Sequence, residues 1–256
     1  MTLPHLQLAF PEQVRRLVPA VRRGLAFGIP ALDAALPAGV PRGQITAFDA
    51  PLGSGGTTLL LALVEATLRS DEGVALVDAE RSLAPQAAAH LAALGSFWVV
   101  RPRAHESAWW CADILLRTGA FGLVIVDRVP TPARRVAVRL QRLAHDKDCA
   151  LVVRVTQAAG RQDRSGYQTS AYGAAMVLAV EPAARNPGFV PALPGWGGAW
   201  PAARRLRVTT LKGGAPRAAE VTVGVPLPDR LRPHWAVRDR RAPERADRRP
   251  ERKARK

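Results

Sequence analysis

Short, uninterrupted apolar runs recur along the chain as far as residue 157, and amphipathic stretches separate them. Strands of a parallel sheet are buried on both faces and form continuous apolar runs, whereas the covering helices show apolar residues three and four positions apart. The alternation therefore predicts an α/β fold with a mostly parallel sheet flanked by helices. The predicted strands are residues 45–48, 74–78, 97–100, 121–127 and 150–157, and the predicted helices are residues 59–64, 107–117 and 133–145.

The pattern changes in the last third of the chain, where the apolar runs become more widely spaced. Residues 185–200 are rich in Pro, Gly and Trp, which predicts an irregular surface loop. Its Trp196 and Trp200 are typical of interface anchors, and a role in covering the sheet edge is an equal alternative. Three further strands are predicted at the edge of the sheet, at residues 174–180, 205–210 and 220–223.

Length and composition favour one domain with two tails. The chain has 256 residues, of which 48% are hydrophobic, enough to bury one sizeable core. Residues 1–24 are predicted to form a helical arm, residues 25–228 the domain, and residues 229–256 a basic, disordered tail. No apolar run approaches the roughly 18 residues of a membrane span, and the N-terminus lacks the residue order of a secretory signal. A cytoplasmic, nucleoid-associated protein without membrane contact is expected.

The cysteines and histidines indicate no metal site. Cys111 and Cys149 lie in apolar sequence surroundings and are expected to be buried free thiols in a reducing compartment. Trp109 and Trp110, beside Cys111, are expected in the core. The five histidines are scattered without the spacing of metal ligands or of a nucleophile and its base, so none is assigned a catalytic role.

The net charge of +16 suggests a polyanionic partner. Only four of the 37 basic residues are lysines, a skew that a GC-rich genome would also produce. Residues 238–256 hold ten basic and four acidic side chains, so the tail either contacts nucleic acid or an acidic protein surface, or is simply solvated. The candidates for DNA contact in the tail are Arg248, Arg249 and Arg252.

Residues 50–58 have the context of a phosphate-binding loop, since they follow a predicted strand and precede a predicted helix. The pattern G-x-x-x-x-G-K-[ST] places Ala50 at the first glycine, Gly56 at the lysine and Thr57 at the hydroxyl that holds magnesium. The backbone still offers an anion site, but a charge-assisted hydrogen bond worth roughly 1.5–3 kcal/mol is missing. The residues of the nucleotide-site pattern are Gly53, Ser54, Gly55, Gly56, Thr57, Thr58, Asp127 and Lys212.

Polar residues end three of the predicted strands, at the edge where open α/β sheets place ligands. Asp127 has the position of the acid that helps to hold magnesium in nucleotide hydrolases. Glu80 is a candidate to orient a water molecule, whereas Asp78 is expected to cap a turn; two solvated acids are the alternative. Gln157 is a candidate sensor of a terminal phosphate.

The motifs follow one another along the chain in the same order as in the RecA recombinase core, which the chain resembles over residues 25–225. The resemblance implies that Glu80 corresponds to a water-activating glutamate, Gln157 to a γ-phosphate sensor and Lys212 to a residue that reaches the neighbouring subunit's nucleotide. The matching segments are residues 28–36 (GIPALDAAL, similar to TGSxxLDxxL), 50–58 (APLGSGGTT, similar to GPESSGKTT), 77–83 (VDAERSL, similar to IDAEHAL), 111–127, 156–157 and 211–216 (LKGGAP).

Residues 31–43 (ALDAALPAGVPRG) resemble the LDAxLPxGGxPRG segment of the ImuA family, the RecA-like proteins of bacterial damage-induced mutagenesis. The missing lysine and the short basic C-terminus also fit that family. The resemblance implies a role in SOS-induced translesion DNA synthesis. The partners it implies are RecA, an ImuB-like polymerase accessory protein and an error-prone replicative polymerase.

The chain departs from the recombinase pattern both in the nucleotide site and in the loops that bind DNA. Thr210 stands where the recombinase has a second lysine, so the cross-subunit half of the nucleotide site is impaired as well. Only thirty residues separate Asp127 from Gln157, which predicts that the first mobile DNA loop is deleted. The second DNA loop corresponds to residues 158–171. Its Arg161, Arg164 and Tyr167 are candidates to contact a DNA backbone and stack a base, with a solvated loop as the alternative.

Three functions follow from these observations. The leading one is a non-catalytic adaptor that needs no cofactor and contacts RecA and the polymerase proteins. The second is a slow, DNA-dependent ATPase with weak ATP–magnesium binding, in which Glu80 and Asp127 act and Lys212 compensates from a neighbouring subunit. The third is a DNA-binding module whose affinity comes from charge and falls steeply with salt.

Overall fold

The computed structural model describes residues 24–130, 132–155, 173–183, 203–213 and 217–224, and these form an eight-stranded sheet with helices on both faces. The strands are β1 Ile45–Asp49, β2 Val74–Asp78, β3 Phe97–Val100, β4 Leu123–Val129, β5 Ala150–Val155, β6 Met176–Pro182, β7 Ala203–Lys212 and β8 Ala218–Gly224. The helices are α1 Pro30–Ala35, α2 Gly56–Arg69, α3 Pro85–Ala88, α4 Ala108–Thr118 and α5 Arg134–Asp146, with short 3-10 helices at Ala89–Ala93 and His105–Ser107.

The strand order is β3-β2-β4-β5-β1-β6-β7-β8. Neighbouring strands from β3 to β6 are parallel, and β7 and β8 are added antiparallel. Successive residues of a strand point to opposite faces, so Leu76 enters the core beneath α1 and α2 while Val77 enters the core beneath α4. The predicted α/β fold with a mostly parallel sheet flanked by helices is confirmed.

The prediction that all three later strands lie at the sheet edge is wrong for β6 and β7. Strand β6 pairs in parallel with β1 and antiparallel with β7, so it is an interior strand, and β7 is in turn covered by β8. Residues 176–180 are all buried, as their unbroken apolar sequence requires. The described edges of the sheet are β3 and β8.

The expectation that Trp110 belongs to the core is also wrong, because its side chain is 65% exposed. Helix α4 buries Ala108, Ala112, Leu115 and Leu116, and Trp110 lies on the opposite face. The neighbouring Trp109 is partly buried against the core beneath α4. The helical period, rather than the hydrophobicity of each residue, decides which tryptophan is buried.

The segment before β1 anchors the sheet. The backbone N–H of Phe27 donates to Asp33 Oδ1 at 2.8 Å, and Leu25 and Val40 form an antiparallel bridge. Arg42 Nη1 donates to Glu72 Oε2 at 2.8 Å, which ties this segment to the start of β2. Asp33, which is shared with the recombinase lead-in, therefore has a structural partner here.

Both cysteines are free; Cys149 is buried and Cys111 is partly buried. Burial raises the pKa of Cys149 to about 12 and also raises the pKa of Cys111. No helix in the described part of the chain is long and apolar enough to cross a membrane. The predicted arm before residue 24, the loop with Trp196 and Trp200, and the basic tail lie outside the described residues.

Candidate functional site

The carboxyl ends of four neighbouring parallel strands bring the candidate residues together. Asp78 of β2 is the register partner of Asp127 of β4, and Asp127 is the register partner of Arg154 of β5. Arg154 is in turn level with Phe48 near the end of β1, from which the phosphate-loop segment begins. The row of charged side chains thus runs directly into the loop, at the edge where α/β sheets bind ligands.

The loop joins β1 to α2 with the backbone of a phosphate-binding turn. Gly53 and Gly55 have φ angles of 79° and 93°, in the left-handed region that favours glycine, and Gly55 is the N-cap of α2. A Cβ atom on Gly55 would lie 2.5 Å from Leu206 Cδ2, so a side chain there would require Leu206 to move. Ser54 is buried, and its Oγ has no hydrogen-bond partner among the described residues.

The position of the missing lysine has no room for a side chain. A Cβ atom on Gly56 would lie 2.4 Å from Ala50 Cβ and 3.3 Å from Arg154 Nη1. Ala50 stands at the first glycine of the pattern, so its methyl group takes the space that a side chain at position 56 would need. The two departures from the pattern are therefore coupled in space.

Arg154 forms the central contact of the site. Its Nε donates to Asp127 Oδ1 at 2.5 Å and its Nη2 donates to Asp127 Oδ2 at 2.7 Å, a bidentate ion pair. Its Nη1 donates to Thr57 Oγ1 at 2.9 Å. One guanidinium thus joins β5 to β4 and to the first turn of α2, and its side chain is only 7% exposed.

Sequence reasoning did not single out Arg154. The available signal was one arginine inside an otherwise apolar run, since arginine is almost never fully buried unless it is paired. Burial raises the pKa of Asp127, and the hydrogen bonds and charge of Arg154 oppose that rise. Asp127 therefore depends on Arg154 to keep its negative charge in this buried position.

The acids that follow β2 also have arginine partners. Glu80 Oε2 lies 2.7 Å from Arg128 Nε. Asp78 accepts hydrogen bonds from the backbone N–H groups of Ser82 at 2.8 Å and Leu83 at 3.3 Å, the contacts of a turn cap, and it lies 3.1 Å from Arg101 Nε. Arg128 directly follows Asp127 and has a left-handed φ of 55°, at a register shift between β4 and β5.

Lys212 is not brought to this site within the chain, and its implied role at a neighbouring subunit's nucleotide stays a prediction. Lys212 ends β7, six residues beyond the Leu206 that packs against Gly55, which at about 3.3 Å per residue separates them by roughly 20 Å. Thr210 is buried. Thr57 and Thr58 also line an open cleft of about 720 Å³ on the α2 side, together with Phe27.

Several candidates lie outside the described residues, and the structure assigns them no position. These are Gln157, Arg161, Arg164, Tyr167, Arg248, Arg249 and Arg252. Within the described ranges no group of three or more His, Cys, Asp or Glu side chains is arranged to hold a metal ion.

Comparison with known proteins gives consistent results. The family model described as the RecA N-terminal domain matches residues 20–162. Protein RecA of Paramagnetospirillum magnetotacticum is 41% identical over 99 residues, which are 38% of this chain and 29% of that protein. The mitochondrial DNA repair protein recA homolog of Dictyostelium discoideum is 32% identical over 140 residues, 54% of this chain and 29% of that protein. The chain thus spans about a third of the length of these curated relatives.

A solved structure described as the RadB recombinase shares the fold. The TM-score is 0.56 at 21% sequence identity, and the match covers 75% of this chain and 91% of that one. At this identity the likeness concerns the fold alone.

Proposed function

We propose that this chain, which belongs to the RecA N-terminal domain family, is a RecA-like accessory protein of DNA repair that does not turn over ATP. The observation that carries the proposal is the loop itself. No lysine stands at position 56, and a Cβ atom there would lie 2.4 Å from the methyl group of Ala50. In nucleotide hydrolases of this type, that lysine is the loop's own positive charge on the terminal phosphates.

The acid expected to activate water supports the same proposal. Glu80 is in a 2.7 Å ion pair with Arg128. The ion pair holds Oε2 of Glu80 against the guanidinium of Arg128, which competes with the orientation of a water molecule by this carboxylate. Neither catalysis by Glu80 nor a nucleotide cofactor is therefore part of the proposed function.

More narrowly, we propose an ImuA-like role in SOS-induced translesion synthesis, with RecA, an ImuB-like protein and an error-prone polymerase as partners. Support comes from the sequence of residues 31–43. Exposed apolar side chains also support an adaptor: Trp98 on the edge strand β3 is 57% exposed, and Trp110 and Ile114 lie together on the outer face of α4. Large exposed aromatic residues are typical of protein interfaces.

Turnover and partner binding test the two halves of this proposal. The purified chain should show no ATP hydrolysis above that of its Glu80→Gln variant, with or without single-stranded DNA and magnesium. Magnesium-dependent turnover that Glu80→Gln abolishes would instead establish the slow ATPase.

Immobilised chain should capture RecA filaments or an ImuB-like protein. Trp110→Ser should weaken that capture, whereas Arg69→Ala, at an exposed position on the α2 surface, is the control and should not. Capture of neither partner would contradict the adaptor role.

A charge-driven DNA contact is the second candidate, and α5 favours it. Arg134, Arg135 and Arg142 are exposed on this one helix. Such a contact predicts that the logarithm of affinity for DNA falls linearly with the logarithm of salt concentration, and that replacing these arginines by glutamine reduces the slope. Binding that is absent, or insensitive to salt, would remove this candidate.

A further inference from the structure

We propose that the guanidinium of Arg154 takes the place of the divalent cation in this loop site, so that the protein itself, and not magnesium and a nucleotide, holds the loop. The inference rests on the proposed function of a RecA-like protein without ATP turnover and specifies how its site is kept in one state. It concerns a residue to which neither the loop pattern nor the family resemblance assigns a role.

The first step is the identity of the two acceptors. In phosphate-loop hydrolases the hydroxyl of the loop's Ser or Thr and a strand-terminal Asp hold magnesium. Thr57 and Asp127 stand at these two positions. Here Arg154 donates to Thr57 Oγ1 and to both carboxylate oxygens of Asp127, at 2.9, 2.5 and 2.7 Å.

The second step is that these residues do not fit a magnesium ion. Both oxygens of Asp127 already face the guanidinium, and the pair is almost completely buried. A divalent cation at the same acceptors would lie within a few ångströms of a fixed positive charge in a region of low dielectric constant, where like charges repel strongly. Magnesium could bind only after Arg154 had left.

The third step is that the surrounding residues match the guanidinium. Arg154 projects from an interior strand, level with Asp127 on one side and Phe48 on the other. The absence of a side chain at Gly56 keeps the space beside Nη1, because even a Cβ atom there would lie 3.3 Å away. A lysine at position 56 would place a second cation beside the first. Arg154, Gly56 and Ala50 therefore form one consistent set.

Charge defines what the site would accept. With the strand-terminal aspartate counted in both cases, a lysine and magnesium bring a net charge of about +2 to the phosphates, whereas Arg154 and Asp127 together bring none. The site is thus unsuited to a magnesium–triphosphate complex, and any anion that meets the loop backbone would bind without a metal. Contacts of this chain with its partners should then be constitutive and not switched by ATP.

Manganese binding, followed by electron paramagnetic resonance at about pH 8, tests the replacement directly. The native chain should show no saturable Mn²⁺ site. Arg154→Ala should gain one, because Thr57 and Asp127 become available, and the Arg154→Ala/Asp127→Asn double variant should lose it again. Arg101→Ala, which removes the arginine partner of Asp78 at the same sheet edge, is the matched control and should gain none.

A native Mn²⁺ site, or a folded Arg154→Ala variant that gains none, would overturn the proposal. If Arg154→Ala fails to fold, hydrogen exchange of the native chain decides: residues 50–60 should exchange at the same rate with and without magnesium–ATP, and slowed exchange would overturn the proposal. Failure to bind RecA would remove the accessory function and leave these results standing. A native Mn²⁺ site would remove the cation replacement without affecting partner binding.

Discussion

Two aspartate–arginine pairs lie side by side at the carboxyl ends of the parallel strands, and they differ in what they connect. Asp78 closes its own turn through the N–H groups of Ser82 and Leu83, and its partner Arg101 is 37% exposed. Asp127 has both oxygens on Arg154, which is 7% exposed and also reaches Thr57, 97 residues away in sequence. The same two residue types therefore form a local cap in one place and a long-range joint in the other.

Both aspartates are buried, so the two pairs differ in the burial and in the reach of the arginine. An arginine that keeps access to water gives an ion pair of small net value, whereas removing one partner of a buried pair leaves an uncompensated charge. Only the buried pair also joins the loop to the sheet. Its replacement should therefore affect both stability and ligand selectivity, while replacement of the exposed partner should affect neither strongly.

Among the variants considered, Arg154→Ala should lower the free energy of unfolding most. Losing one partner of a buried pair costs about 3–5 kcal/mol, because Asp127 is left charged or must take up a proton. The free energy of unfolding, measured by urea titration with circular dichroism, should fall by that amount.

A double variant distinguishes the loss of the ion-pair attraction from the cost of leaving one buried charge without its partner. Replacing both residues by apolar ones of similar size, as in Arg154→Met/Asp127→Leu, should recover most of the stability, because no unpaired charge remains. If Arg154→Ala lowers the free energy of unfolding no more than Arg101→Ala does, the distinction between the long-range contact of Asp127 and the local turn cap of Asp78 is wrong.

Gly56→Ala should have the next largest effect. Its Cβ would lie 2.4 Å from Ala50 Cβ, and overpacking of this kind costs about 1–3 kcal/mol. Ala50→Gly should relieve the clash, so a double-mutant cycle of the two positions should show a coupling of the same size. Additive effects would mean that the two departures from the phosphate-loop pattern are independent.

The fold could be predicted further than the site. The strands at residues 74–78 and 97–100 were predicted with the bounds that the structure gives, because a continuous apolar run has few alternatives. The location of β6 was mispredicted, since the neighbours of a strand depend on topology. The contact of Arg154 with Thr57 could not be predicted for the same reason: it requires knowing that β5 lies between β4 and β1.

A pH series tests whether β5 as a whole, and not Arg154 alone, is rigid. The pKa of buried Cys149, directly before β5, is raised from 9.0 to about 12. Because the folded-state value is the higher one, its contribution to stability is complete below pH 9 and is lost between pH 9 and 12. Between about pH 8 and 10 this thiol alone should lower the free energy of unfolding by about 1 kcal/mol.

The Cys149→Ala variant is the control for that series. It should show a correspondingly shallower decline in urea titrations over the same pH interval, because it lacks the thiol that ionises in the unfolded chain. An identical decline in both proteins would mean that Cys149 is accessible to water in the folded state and that this end of β5 opens readily.

Arg101→Ala, which removes the arginine of the Asp78 pair, should lower the free energy of unfolding least. Arg101 also donates to the backbone oxygen of Leu83 at 2.8 Å, but as a half-exposed partner it should contribute about 0–1 kcal/mol to the free energy of unfolding. Asp78→Ala should cost more, about 1–3 kcal/mol, because the N–H groups that it caps lose their acceptor. Thermal and urea unfolding of the two variants should show this order. The reverse order would mean that Arg101 stabilises the turn and that the two pairs work in the same way.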